Sequence, residues 1–333
     1  MLNVSNRLYQ LESYDYFLPA HRIAQHPVSP RDSSKLLLIS RDGQTFTDYP
    51  FFQLPDLLKA GDLLVLNNTK VIPARMHSNR GEVLLIRPTE EHCWDAMVYP
   101  GKNFKPGRIL EFEGGMRATV LSQSPVGRIL QFQDDLCSYL QKYGKMPLPP
   151  YIDREPDSSD VRCYQTIYAR KLGSVAAPTA GLHFTRRVFN ALEKRGVERA
   201  YITLHVGPGT FRPVKAGDIT RHSVYPEYYS CSESVWQKIR KADRVIAVGT
   251  TTTRALETIG LTGEREGHTD LFVYPGHPFR VVQGLLTNFH LPKSSLLMLV
   301  SAIGGYELIR KAYQYAVDQD YRFYSYGDAM LIL

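Results

Sequence analysis

The chain opens on short apolar runs rather than long amphipathic stripes. Unbroken apolar residues at 35–39 predict a buried strand, 54–60 a short helix, and the prolines within 26–32 a loop between the N-terminal turns and that strand. A second apolar run at 61–66 ends in Asn67 and Asn68, a strand followed by turn chemistry. From Arg75 the texture changes. Strand-like segments at 82–87, 94–99, 108–112, 116–121 and 128–133 recur roughly every dozen residues, some alternating as Ile109 and Glu111 do against Leu110 and Phe112. The proline-rich stretch 146–151 closes this region as a linker. Beyond it helices and strands alternate. Thr185 caps a helix that Gly196 stops, 197–206 is a strand, and Ser232 caps a helix carrying Val235 and Ile239. Strands are expected at 244–248, 270–274 and 284–289, with helices at 251–259, 294–302 and 306–317. The expected fold class is therefore α/β, a mixed sheet with helices, carrying a region of short strands that forms a small barrel or sandwich.

A length of 333 residues suits two domains or one domain carrying an insertion, and no apolar run reaches the length of a membrane span. Residues 1–10 lack the basic start and apolar block of a secretory signal, so the expected compartment is the cytoplasm. Cys93, Cys137, Cys163 and Cys231 have no paired spacing and the ten histidines form no ligand motif, so neither a disulfide frame nor a bound metal is expected. The net charge of +7 is concentrated in residues 154–333, which hold 23 basic and 17 acidic side chains. That surplus is compatible with a phosphate-rich partner.

Candidate chemistry lies mostly in that half. Residues 174–185 combine small side chains (Ala177, Pro178, Gly181) with Thr179 and His183, leaving room for a ligand to approach backbone; a tight loop feeding a helix explains them equally well. Gly249, Thr250 and Thr251 follow a strand and open a helix, presenting amides and hydroxyls to an anion, or merely capping a βα turn. His205 precedes a Gly-Pro-Gly turn at 207–209 that resembles half of a dinucleotide or methyltransferase loop and lacks its third glycine. His222 and Glu227 share a proline-containing loop, while Asn288, His290 and Lys293 end a strand at a sheet edge. Arg254, Arg322 and Asp328 complete the set, the last two within an aromatic stretch at 321–328 suited either to stacking on a base or to the core.

Together these stretches resemble the S-adenosylmethionine:tRNA ribosyltransferase-isomerases of queuosine biosynthesis. The likeness runs through 61–75, 146–152, 164–169, 174–185, 205–213, 245–257, 287–300 and 321–330. One departure stands out: where the family usually has His-x-Met-His-Ser/Ala-Glu, this chain reads His222-Ser223-Val224-Tyr225-Pro226-Glu227, with Tyr225 at the second histidine. The resemblance implies a large α/β domain of mixed sheet and helices, residues 1–60 and 154–333, interrupted by a small inserted antiparallel β-barrel at 61–153. It also implies transfer of the ribosyl portion of S-adenosylmethionine to 7-aminomethyl-7-deazaguanine at the tRNA wobble position, giving epoxyqueuosine-tRNA and releasing adenine and methionine. Because a sulfonium acidifies the neighbouring C5′ hydrogen, a base must take that proton and an acid must assist the departing adenine.

On that resemblance His183, Glu227 and Thr179 are the expected catalytic residues, Glu227 alternatively receiving the aminomethyl cation. Ala177, Pro178, Gly181, His205, Gly249, Thr250 and Thr251 are expected to hold S-adenosylmethionine, the Gly249 turn on its carboxylate. His222, Arg254, Asn288, His290, Lys293, Arg322 and Asp328 are expected to meet the tRNA, and the chain to act as a monomer. A tRNA methyltransferase using the same co-substrate is the rival enzyme, separated by its S-adenosylhomocysteine product. A noncatalytic tRNA-binding protein is the rival of another class, separated by salt-dependent binding without turnover.

Overall fold

The computed structural model describes residues 7–207, 209 and 214–333. β1 (Lys35–Ser40) and β2 (Thr45–Pro50) form a hairpin, and β3 (Asp62–Asn67) follows, buried at every position. A short β4 (Thr69–Val71) leads into β5 (Arg75–Ser78), β6 (Gly81–Glu90), β7 (Cys93–Tyr99), β8 (Ile109–Glu111), β9 (Arg117–Gln123) and β10 (Arg128–Phe132). After β11 (Lys171–Ser174), which pairs with β4, come β12 (Glu198–Leu204), β13 (Glu227–Ser230), β14 (Arg244–Val248), β15 (Glu266–Thr269), β16 (Gly284–Asn288) and β17 (Ala329–Ile332).

Nine of these strands make one mixed sheet in the order β15-β13-β12-β3-β14-β16-β17-β1-β2. Its centre, β12, β3, β14 and β16, is parallel. Strands covered on both faces need apolar residues at successive positions, which is why β3 shows an unbroken run. Leu63 and Val65 enter the core on one face, Leu64 and Leu66 that on the other. The same fact corrects an expectation: β3 lies in the middle of the large sheet and does not open the insertion at residue 61. The six-stranded antiparallel sheet, ordered β5-β6-β7-β10-β9-β8, begins instead at Arg75. A bridge between Ser78 and Phe112 joins its outer strands, nearly closing it around Val83, Leu85, Leu110, Val120 and Leu130.

Helices start where the caps predict. Thr185, Ser232 and Ser294 each accept a bond from the amide three residues on, opening the helices Arg186–Lys194, Glu233–Lys241 and Ser295–Gly304. Two local expectations fail. The helix near 54–60 is a 3-10 turn, Phe51–Leu57, with Pro55 inside it. Residues 270–274 form no strand; β15 lies just before them, and the Leu271 carbonyl accepts from Arg254 Nε at 2.9 Å instead of from a neighbouring strand.

Topology then positions the loops. The parallel strands β12, β3, β14 and β16 all finish on one edge, and β17 and β1, running the other way, begin there. Loops distant in sequence therefore meet along that edge, where open α/β sheets bind ligands.

Candidate functional site at the carboxyl edge of the sheet

Three adjoining cavities follow this edge. The innermost, about 50 Å³, is lined by Tyr151, residues 176–180, Val206, residues 249–251, residues 287–290, Leu296, Tyr324 and Ser325. It meets a cavity of about 850 Å³ at Leu296 and one of about 200 Å³ at Ser325. Of the expected residues, Ala177, Pro178, Thr179, Gly249, Thr250, Thr251, Asn288 and His290 converge on the innermost cavity.

Gly249 has φ of +93°, a conformation costly for any residue with a Cβ. Its turn places the first amides of the helix Thr250–Thr262 at the cavity. Thr252 Oγ1 donates to the Val248 carbonyl at 2.7 Å and Thr253 Oγ1 to the Gly249 carbonyl at 3.2 Å. Thr250 and Thr251, by contrast, belong to the cavity wall. Gly181 is not in that wall; a Cβ there would stand 2.0 Å from the Tyr168 hydroxyl, so this glycine serves packing.

His183 is buried against Phe51, the rings 4.9 Å apart and stacked. Its Nδ1 lies 2.8 Å from Ser34 Oγ and its Nε2 3.0 Å from Asn288 Nδ2. Burial, reinforced by the positive charges of Arg322 and Arg31, lowers its pKa to about 3. The ring is thus neutral at pH 7 with both nitrogens occupied. It borders the third cavity and reaches the innermost one only through Asn288. His290 does line the innermost cavity, its Nε2 3.2 Å from Thr287 Oγ1 and its pKa lowered by burial to about 3.

Glu227 and Arg254 form a buried ion pair. Glu227 Oε1 also accepts from the Gly207 amide at 2.7 Å, and Arg254 donates to the carbonyls of Leu271 at 2.9 Å and Thr269 at 3.2 Å. A guanidinium committed in this way anchors β13 to the segment after β15, and is not placed as a phosphate clamp. Arg254 nevertheless forms part of the large cavity, together with Gly209, Lys215, Arg221, residues 222–226 and 271–273. His222 packs edge-on to Phe272 there, ring centroids 5.1 Å apart, and burial pushes its pKa down. Pro208 and residues 210–213, part of the glycine turn expected to line a pocket, lie outside the described residues.

Other expected residues stand elsewhere. His205 bonds Thr69 Oγ1 through Nδ1 at 2.8 Å and stacks on Tyr228, bordering none of the three cavities; burial lowers its pKa. Lys293 Nζ pairs with Glu12 at 2.7 Å and Asp15 at 3.0 Å. Arg322 donates to the carbonyls of His26 and Tyr326 at 3.1 and 2.9 Å. Asp328 accepts from the amides of Lys35 and Arg322 at 2.9 and 2.8 Å, tying β1 to the loop before β17, and burial raises its pKa. The sequence left Ser34, Tyr151, Ser325, Lys215 and Arg221 unnoticed. Only Tyr151, closing a proline run, and Ser325, within the aromatic stretch, carried any signal.

Among the described residues no group of three or more His, Cys, Asp or Glu side chains is assembled as metal ligands are, and no helix is long and apolar enough to cross a membrane. The edge thus offers an uncharged cradle of amides and hydroxyls beside a wide aromatic and cationic cleft.

Comparison with known proteins gives the family. The family model described as "Queuosine biosynthesis protein" matches residues 11–332. The S-adenosylmethionine:tRNA ribosyltransferase-isomerase of Thermosynechococcus vestitus is 48% identical over 98% of this chain and 96% of its own length. That of a Sulfurihydrogenibium strain is 46% identical over 97% of this chain and 100% of its own. The crystal structure of S-adenosylmethionine tRNA ribosyltransferase from Thermotoga maritima, 37% identical, superposes with a TM-score of 0.57 over 96% of this chain and 100% of that one. The chain therefore belongs to the queuosine biosynthesis family of S-adenosylmethionine:tRNA ribosyltransferase-isomerases.

Proposed function

We infer that this protein transfers and isomerises the ribosyl moiety of S-adenosylmethionine onto 7-aminomethyl-7-deazaguanine at the wobble position of tRNA, giving epoxyqueuosine-tRNA, adenine and methionine. Beyond family membership, the observation that carries the reading is the meeting of five separated segments, 176–180, 249–251, 287–290, Leu296 and 324–325, in one cavity that opens into a wide cleft. The amino-acid end of the co-substrate suits the small cavity, its carboxylate on the first amides and hydroxyls of the helix Thr250–Thr262. A purine and a ribose need the volume and the aromatic walls of the large cavity, with Tyr225 and Phe272, and that cavity also has room for the target base. Lys215 and Arg221 at its rim suit the tRNA backbone.

Proton transfer needs a group that reaches the sugar. His183, enclosed and doubly bonded, supports the site from behind, whereas His222 lies in the large cavity and is the imidazole we place at the reacting nucleoside. Glu227, engaged by Arg254 and the Gly207 amide, holds the wall of that cavity. Thr179 remains at the co-substrate through the small cavity. The protein is read as a cytoplasmic monomer.

Incubation with S-adenosylmethionine and tRNA carrying the modified base tests the function. Free adenine and methionine in equal amounts are expected. Formation of S-adenosylhomocysteine would establish methyl transfer instead, and salt-dependent tRNA binding with no co-substrate consumed would establish a binding protein.

A further inference from the structure

Asn288 is the one member of the small cavity with a buried side-chain atom lacking any partner among the described residues: its Oδ1 accepts no hydrogen bond. The residue is only 2% exposed. An unmatched buried acceptor is destabilising, so one retained in a residue that lines a cavity calls for a donor from outside the chain. Its orientation is set by what lies behind it. Asn288 Nδ2 donates to His183 Nε2 at 3.0 Å and to the Asp328 carbonyl at 3.4 Å. Turning the amide over would set Oδ1 against that carbonyl oxygen and lose this bond. His183, accepting at Nε2, donates through Nδ1 to Ser34 Oγ at 2.8 Å. All four groups sit at one edge because β16 ends there and β1 and β17 begin there.

The chemistry of the missing donor follows from the cavity. No Asp, Glu, Lys or Arg side chain lines it, so an isolated cation or a phosphate would be poorly compensated, whereas a zwitterion brings its own counter-charge. At about 50 Å³ it has room for a small polar head and not for a purine. We propose that Asn288 Oδ1 accepts the α-ammonium of the methionyl part of the co-substrate, opposite the helix N-terminus that takes its carboxylate, and that Ser34 and His183 are positioning residues that hold the Asn288 amide in this orientation. The proposal rests on the functional reading above and adds a specificity-determining acceptor to it.

The test compares S-adenosylmethionine with its desamino analogue, the sulfonium of 4-(methylthio)butanoate, in direct calorimetric binding and in kcat/KM. The parent protein should prefer the amino compound. Asn288→Ala should reduce that preference roughly ten- to hundredfold, the range for one hydrogen bond to a charged group, with little change in binding of the desamino compound. Ser34→Ala and His183→Phe, the latter keeping an aromatic ring on Phe51, should lower the same ratio partway. If Asn288→Ala weakens both compounds equally, or the parent protein shows no preference, the assignment of the ammonium is wrong. If Ser34→Ala and His183→Phe both leave the ratio at the parent value while Asn288→Ala lowers it, the positioning role is wrong. A parent protein that binds and consumes neither compound would defeat the functional reading itself, a separate outcome.

Discussion

Two histidines held neutral in the interior make stability depend steeply on pH between neutrality and pH 5. In the unfolded chain a histidine titrates near about 6.5. In the folded protein His183 and His290 titrate near about 3, because burial disfavours the charged ring. Between these values the unfolded state binds more protons than the folded one, so stability rises with pH and falls as pH is lowered from about 6.5. Well inside the window each histidine contributes a slope of about 1.4 kcal/mol per pH unit, and lowering the pH from 7 to 5 costs about 2 kcal/mol apiece, about 4 for the pair. That is a large part of a typical domain stability of roughly 5–15 kcal/mol. His205 and His222, also shifted downward by burial, add with the same sign. Asp32, Asp160 and Glu257, held below their ordinary values by hydrogen bonds and ion pairs that outweigh desolvation, weaken the fold mainly at pH values below this window. The assay is urea unfolding at pH 7, 6 and 5, followed through Trp236 in the large domain with Trp94 replaced by Phe. His183→Gln and His290→Gln, whatever each costs at pH 7, should each remove about 2 kcal/mol of the difference between pH 7 and pH 5. A parent protein equally stable at both pH values, or single variants with the parent's full pH dependence, would refute the argument that these rings are buried neutral.

Three further outcomes are expected. Arg254→Met removes the guanidinium from the buried Glu227 carboxylate and should cost about 3–5 kcal/mol in unfolding free energy, measured by denaturant titration; a loss below about 1 kcal/mol would mean that the pair is hydrated. Gly249→Ala adds a Cβ where φ is +93° and ψ 152° and should destabilise by about 1–3 kcal/mol while raising KM for S-adenosylmethionine, since the helix amides shift; unchanged KM would detach this turn from the co-substrate. His222→Gln should lower kcat by on the order of a hundredfold with the thermal midpoint nearly unchanged, and full activity would move proton transfer to another group.

Local features of this fold were legible in the chain. The runs that became β3, β14 and β16, the caps Thr185, Ser232 and Ser294, and the change of texture at Arg75 are properties of neighbouring residues, and local sterics and hydrogen bonding decide them. The small-residue turn at 176–180, the glycine at 249 and the strand end at Asn288 stood out as candidate site residues for the same reason, and the fold brings them to one cavity. What neighbouring residues cannot determine is partnership. β3 reads equally well as a barrel strand until β12 and β14 pair with it, and Glu227 reads as a free carboxylate until Arg254, 27 positions away, arrives. His183 shows the difference most plainly: its loop suggested a site, but Ser34, Asn288 and Phe51, brought together by the strand order, decided that its ring is buried, neutral and at the third cavity, not the innermost one. Proton affinity and accessibility depend on the desolvation and charges contributed by every element packed around a group, so these became fixed only when the sheet assembled.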